Sequence, residues 1–183
     1  MKTRKLLFTM IAAMTMMFGL TLTAHAEEAP APATKVVGVE GIGTFTVPAD
    51  WSDAMYIDGY GTYWFNPAKT ACAVISRSDC SDIGLAPIDV YAPFERANLE
   101  AAGYVPVQWS VTKYFGHDAI EYIECTLGDN DFPADHPVFS TASTAYGHEY
   151  YAGSCIIDVF TGATTLEELQ TVLPILTTYQ PAK

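Results

Sequence analysis

Basic residues are scarce in this chain: nine Lys and Arg stand against 21 Asp and Glu in 183 residues, a net charge of −12. That balance excludes nucleic acid as a partner, because neutralising a phosphate backbone takes clustered Lys and Arg. It also sets the surface against anionic lipid headgroups and in favour of cationic partners, although acidity equally serves to keep a protein soluble. Catalytic signatures are missing too. The chain has no G-x-S-x-G elbow, no H-E-x-x-H and no P-loop, and "GIG" at Gly41–Gly43 lacks the rest of a dinucleotide fingerprint. No C-x-x-C occurs, which removes the usual redox motif and the paired spacing of a zinc site. There is no internal repeat, and past residue 26 no apolar run is long enough to span a bilayer.

What is present begins with an address. Lys2, Arg4 and Lys5 precede a largely apolar run from Leu6 to Thr23, and Ala24-His25-Ala26 offers small residues where a signal peptidase reads. Residues 1–26 are therefore expected to be a signal peptide, and the mature protein to be extracytoplasmic, without membrane insertion after cleavage. Losing those three cations leaves six basic residues against 21 acidic, a net −15. Residues 27–34, "EEAPAPAT", read as a disordered Ala/Pro-rich tether, and residues 35–183 as a single domain.

Strand candidates run from Val36 to Glu40 and from Gly43 to Val47, where Pro48 cannot donate to a ladder and so ends the strand. Ala49-Asp50 then turn the chain so that Trp51 folds back as a plug over the end of the core. "MYIDGYGTYWF" reads as a hairpin turning at Asp58-Gly59 in a type I′ turn, and "TACAVISR" as the next strand. "IDVYAPFERANLEAAG" is helical, with Gly103 as its C-terminal cap. "YVPVQWSVTKYF" and "AIEYIECTL" form a long hairpin through Gly116-His117-Asp118, and "HEYYAGSCIIDVF" (His148 to Phe160) is a third long strand. A last helix opens on a Thr165/Glu168 capping box and carries Leu166, Leu169, Leu173 and Leu176 on one face, with Pro174 expected to break or kink it near the end. The fold class is α+β: an antiparallel sheet with two main helices packed on it.

"FTVPADW", a mid-chain helix ending in Gly, a hairpin turning at "FGHDA", a last long strand and an amphipathic C-terminal helix together resemble the Mog1/PsbP-like fold. The resemblance spans Val39 to Tyr179. It implies an αβα sandwich and a role in binding or assembly, and it brings no catalytic set.

The candidate site residues follow from chemistry. Four cysteines, Cys72, Cys80, Cys125 and Cys155, in an exported chain imply disulfides. Of three pairings, strand parity favours Cys125–Cys155 in the core, leaving Cys72 with Cys80. Free thiols, or a thiol enzyme using His117 or His148, are the rivals. Asp129, Asp131 and Asp135 in "GDNDFPADHP" supply hard oxygen ligands for calcium, but their spacing departs from the EF-hand, and a solvated turn accounts for the same residues. Glu121 and Glu124 have opposite strand parity, so they do not form a glycosidase pair. Aromatics crowd Tyr56 to Phe65 and Tyr146 to Tyr151, more than a modest core needs. Tyr60, Tyr63, Trp64 and Tyr150 are accordingly the candidate partner-binding residues, with aromatic cross-strand pairing as the structural alternative. The expected function is a non-enzymatic exported binding or accessory domain that docks a protein or cell-envelope component. A calcium- or small-ligand-binding module is the alternative, and no other cofactor is implied.

Overall fold

Pro48 ends a strand, as its missing N–H requires. In the computed structural model, which describes residues 33–126 and 144–183, strand β1 (Thr34–Val39) pairs antiparallel with β2 (Gly43–Pro48) from Thr34↔Pro48 to Val39↔Gly43. The expected signal peptide and most of the tether lie outside the described residues, and Thr34 already belongs to the ladder.

The main sheet has seven strands in the order β3-β4-β5-β9-β8-β7-β6, all antiparallel: β3 (Met55–Ile57), β4 (Gly61–Phe65), β5 (Ala71–Asp79), β6 (Tyr104–Tyr114), β7 (His117–Thr126), β8 (Thr144–Ala152) and β9 (Cys155–Ala163). Two helices pack on it, α1 (Ile88–Ala101) and α2 (Leu166–Leu176), which is the expected α+β class. The sheet is not single, however. β1 and β2 form a separate three-stranded sheet with β10 (Gln180–Pro181), a pairing too short to leave a sequence pattern.

Turn chemistry accounts for the other departures. The long strand expected from His148 to Phe160 is two strands, because Gly153 at φ +65° turns the chain between Ala152 and its ladder partner Cys155. The β3–β4 hairpin is not type I′. Only Gly59 has positive φ within the Ile57-to-Tyr60 turn, as a type II turn requires, and three residues separate the paired Ile57 and Gly61. The type I′ geometry falls instead at Phe115-Gly116, both at positive φ, between the paired Tyr114 and His117.

Strand alternation gives the main sheet two faces. The front face carries Trp64, Ala73, Ile75, Tyr150, Ile157 and Val159, and buries them against α2 (Leu169, Val172, Leu176) and against Phe45 and Val47 of the small sheet. Trp51 is 5% exposed in this cluster, so it is the plug that the Pro48 turn predicts. α2 starts as expected: the Thr165 hydroxyl accepts a hydrogen bond from the Glu168 amide at 3.2 Å. The reciprocal half of the box is not made. Glu168 turns its carboxylate to Asn66 and Thr70 and ties the helix start to the β4–β5 turn. Tyr179 closes the core through its hydroxyl, which lies 2.8 Å from that of Tyr150 and donates to the Ile42 carbonyl at 3.1 Å.

Candidate functional site: the acid floor beneath the first helix

α1 is weakly built. No side chain caps its start, Pro93 lies inside it, and Ala92 is its one fully buried residue. Gly103, at φ +90°, ends it as the sequence predicts. The helix is held to the back face by three contacts: Trp109 Nε1 donates to the Ala92 carbonyl (3.0 Å), Tyr91 donates to Glu149 (2.5 Å), and Tyr151 donates to the Ala86 carbonyl (2.8 Å).

Beneath it, on the back face of the sheet, a glycine makes room for a tyrosine. Gly147 faces Tyr122 on β7 and Phe160 on β9. A Cβ there would lie 2.5 Å from Phe160 Cβ and 2.8 Å from the Tyr122 hydroxyl, so only glycine lets Tyr122 cross to Asp158, to which it donates at 2.7 Å. Asp158 stands directly opposite Glu149 on the β8–β9 ladder, a like-charge pairing that costs stability when both are ionised.

Three carboxylates of this floor titrate far above their ordinary range. Burial, reinforced by neighbouring acids, pushes Glu124 up to about 7 and Glu149 up to about 8; burial likewise raises Asp158 to about 7 against the lowering hydrogen bond from Tyr122. Glu95 of α1 adds its negative charge to all three.

α1 carries apolar residues on both sides: Ile88 and Leu99 are partly covered on the sheet side, beside Ala92. Tyr91, Ala92 and Glu95 occupy its inner stripe, while Val90 and Phe94, four residues apart on one outer stripe, are 58% and 62% exposed. Ile83, in the loop leading to the helix, is 86% exposed. A helix normally turns its apolar residues to the core; here Val90 and Phe94 are left outside that stripe, with Asp82 and Asp89 also exposed.

The residues expected to bind a partner are placed otherwise. Tyr63, Trp64 and Tyr150 are each 2% exposed, because the strands carrying them are covered on both faces, and Tyr60 is half-buried against the Tyr63 cluster. They are core and cross-strand aromatics, with Tyr63 stacked on Phe65 at 5.6 Å. Asp129, Asp131 and Asp135 lie outside the described residues, and among the described residues no group of His, Cys, Asp and Glu is arranged to hold a metal.

The proposed disulfides are corrected by register. Cys72, Cys80 and Cys155 are buried free thiols. Cys72 is the second residue of β5 and Cys80 follows its last residue, Asp79, so the extended strand between them sets them about 25 Å apart. Cys125 pairs with Thr144, which pairs with Ala163, eight positions along β9 from Cys155. A disulfide needs Cα atoms within about 7 Å.

Among the described residues no thiol–imidazole pair forms either. His117 and Cys155 line one hollow, but the Cys155 sulfur accepts from Arg77 Nε at 3.2 Å. His148 stacks on Tyr114 at 3.9 Å, with its Nδ1 buried and unpartnered. Glu121 accepts the Tyr146 hydroxyl on the front face while Glu124 lies on the back, as their parity predicts.

Sequence reasoning missed the acid floor and the apolar ridge. One signal was available, an aspartate in the middle of the apolar run "CIIDVF"; the facing of Glu95, Glu124 and Glu149 needed the register.

No family model and no curated protein matches the chain. Solved structures do. Cyanobacterial PsbP from Synechocystis is similar over 87% of this chain and 99% of its own, at 10% identity and a TM-score of 0.56. LpqN of Mycobacterium tuberculosis, described as involved in cell envelope biogenesis, is similar over 82% of this chain and 91% of its own, at 13% identity and 0.53. The Ran-binding protein Mog1p of Saccharomyces cerevisiae is similar over 82% and 96%, at 10% identity and 0.50. At such identities the likeness concerns architecture: this chain has the Mog1/PsbP-like fold.

Proposed function

We propose that the protein is an exported, non-enzymatic accessory domain that docks a protein partner in the cell envelope through the outer face of α1. The observation that carries this reading is the outward pair Val90 and Phe94 on α1, with Ile83 exposed in the loop before it. Fully burying a side chain of this size stabilises an interface by about 1.5–3 kcal/mol, so the pair suits a hot spot.

The charge around it favours a partner whose apolar pocket is edged by Lys or Arg. On this side Arg96 is already paired with Glu100 and Lys113 with Asp118, while Asp82 and Asp89 remain exposed. The neighbours' printed descriptions, a Ran-binding protein and a protein of envelope biogenesis, support a binding role and an extracytoplasmic setting. Among the described residues no helix is long and apolar enough to cross a membrane.

A photo-crosslinking residue placed at Phe94 in cells tests the docking face. One discrete adduct is expected there, none from the same group at exposed Glu167 on α2, and loss of the adduct when Val90 is changed to Asp. Equal labelling from both positions would refute the assignment. The mass of the purified protein tests export, with Glu27 expected as the first residue.

A further inference from the structure

A second concave surface lies on the front of the main sheet, away from α1. Two hollows, about 310 and 180 Å³, meet where the β1–β2 turn and the C-terminal segment overhang the sheet, and both are lined by Ile42 and Arg77. The larger is walled by Val39, Ile75 and Tyr56, a residue 71% exposed; the smaller by Ile157 and His117.

Arg77, like Lys69 and Lys183, makes no ion pair among the described residues, and of these three it alone lines the groove. Lys35 is tied to the carbonyls of Trp51 and Ser52, and Arg96 and Lys113 are paired with carboxylates, whereas Arg77 has no carboxylate within ion-pair distance among the described residues and acts only at longer range on Asp79. Its one side-chain hydrogen bond among the described residues runs from Nε to the Cys155 sulfur at 3.2 Å. That bond occupies the side of the guanidinium fork and fixes its plane, leaving both Nη groups free to take two oxygens end-on.

The wall opposite is rigid. The Ile42 carbonyl accepts from both the Tyr179 hydroxyl (3.1 Å) and the Ala182 amide (2.8 Å), and Tyr179 is held by Tyr150. Gly43 permits this approach, since a Cβ there would lie 2.5 Å from the Tyr179 hydroxyl.

We infer that this groove is a binding site for a carboxylate carried on an apolar or aromatic body, with the two Arg77 Nη groups clamping the carboxylate, His117 beside it, and the body lying along Ile42, Ile75 and Tyr56. The protein's net negative charge repels anions at long range, so the affinity comes from these contact-range donors. Cys155 is a positioning residue that holds the guanidinium plane. The carboxylate can come from a free organic acid or from the C-terminus of a peptide, and two probes separate these sources.

The experiment is titration of the ¹⁵N-labelled protein with phenylacetate and, separately, with acetyl-Ala-Phe, each against its neutral amide. Saturable shifts at Ile42, His117 and the Arg77 side chain are expected from at least one acid and from neither amide. Arg77→Gln should weaken binding at least about tenfold, Arg77→Lys less. Cys155→Ser keeps a hydrogen-bond acceptor for Arg77 Nε and should bind, whereas Cys155→Val should not, with the spectra of both variants reporting folding. If neither acid binds at up to about 10 mM, if the amides shift the same resonances, or if Arg77→Gln binds as well as the native protein, the site is overturned.

Discussion

Replacing Glu149 with Gln should make the protein more stable at pH 8 and leave it nearly unchanged at pH 5. Glu149 sits opposite Asp158, beneath α1, and burial pushes its carboxyl up to about 8 from an ordinary 4.5. Between those values the native protein holds a proton that the unfolded chain has released. Stability from this group is therefore complete below about pH 4.5 and is lost as pH rises through about 8. At 1.36 kcal/mol per pH unit, the loss by pH 8 is about 4 kcal/mol, against less than about 1 kcal/mol at pH 5. Gln is neutral at both pH values and its carbonyl still accepts the Tyr91 hydroxyl, so the variant escapes the penalty. Urea denaturation followed by the fluorescence of buried Trp51 and Trp64 reads the difference directly. An equal effect at pH 5 and pH 8 would mean packing rather than ionisation, and no gain at pH 8 would mean that the carboxylate is adequately solvated; either result refutes the reasoning.

Gly147→Ala should cost about 1–3 kcal/mol, seen as a fall in melting temperature, because its Cβ meets Phe160, the Val159 carbonyl and the Tyr122 hydroxyl below 3.0 Å. Alkylation of the unfolded, unreduced protein should label Cys72, Cys80 and Cys155, while in the native state Cys72 should be the slowest, since burial both hides its thiol and pushes it up to about 12. Hydrogen exchange, corrected for intrinsic rates, should be faster in α1 than in α2 and should quicken in α1 between pH 6 and pH 9 as the acid floor ionises beneath Glu95; protection equal to that of α2 would contradict a weakly built helix.

Local chemistry alone determined much of this protein. Pro48 had to end a strand, Gly103 had to end a helix, Thr165 had to start one, and the order of strands and helices pointed to the Mog1/PsbP-like fold. These features depend on neighbours a few residues away, so they can be read along the chain. Which strands become neighbours, and which side of each is covered, depends on residues tens of positions apart. Register alone sends Cys125 and Cys155 to opposite ends of the sheet, sets Glu149 against Asp158, and buries Tyr63, Trp64 and Tyr150, whose aromatic composition had suggested a surface. The same long-range pairing leaves Val90 and Phe94 facing outward and Arg77 without a carboxylate among the described residues, because a side chain's partners are decided where distant segments meet.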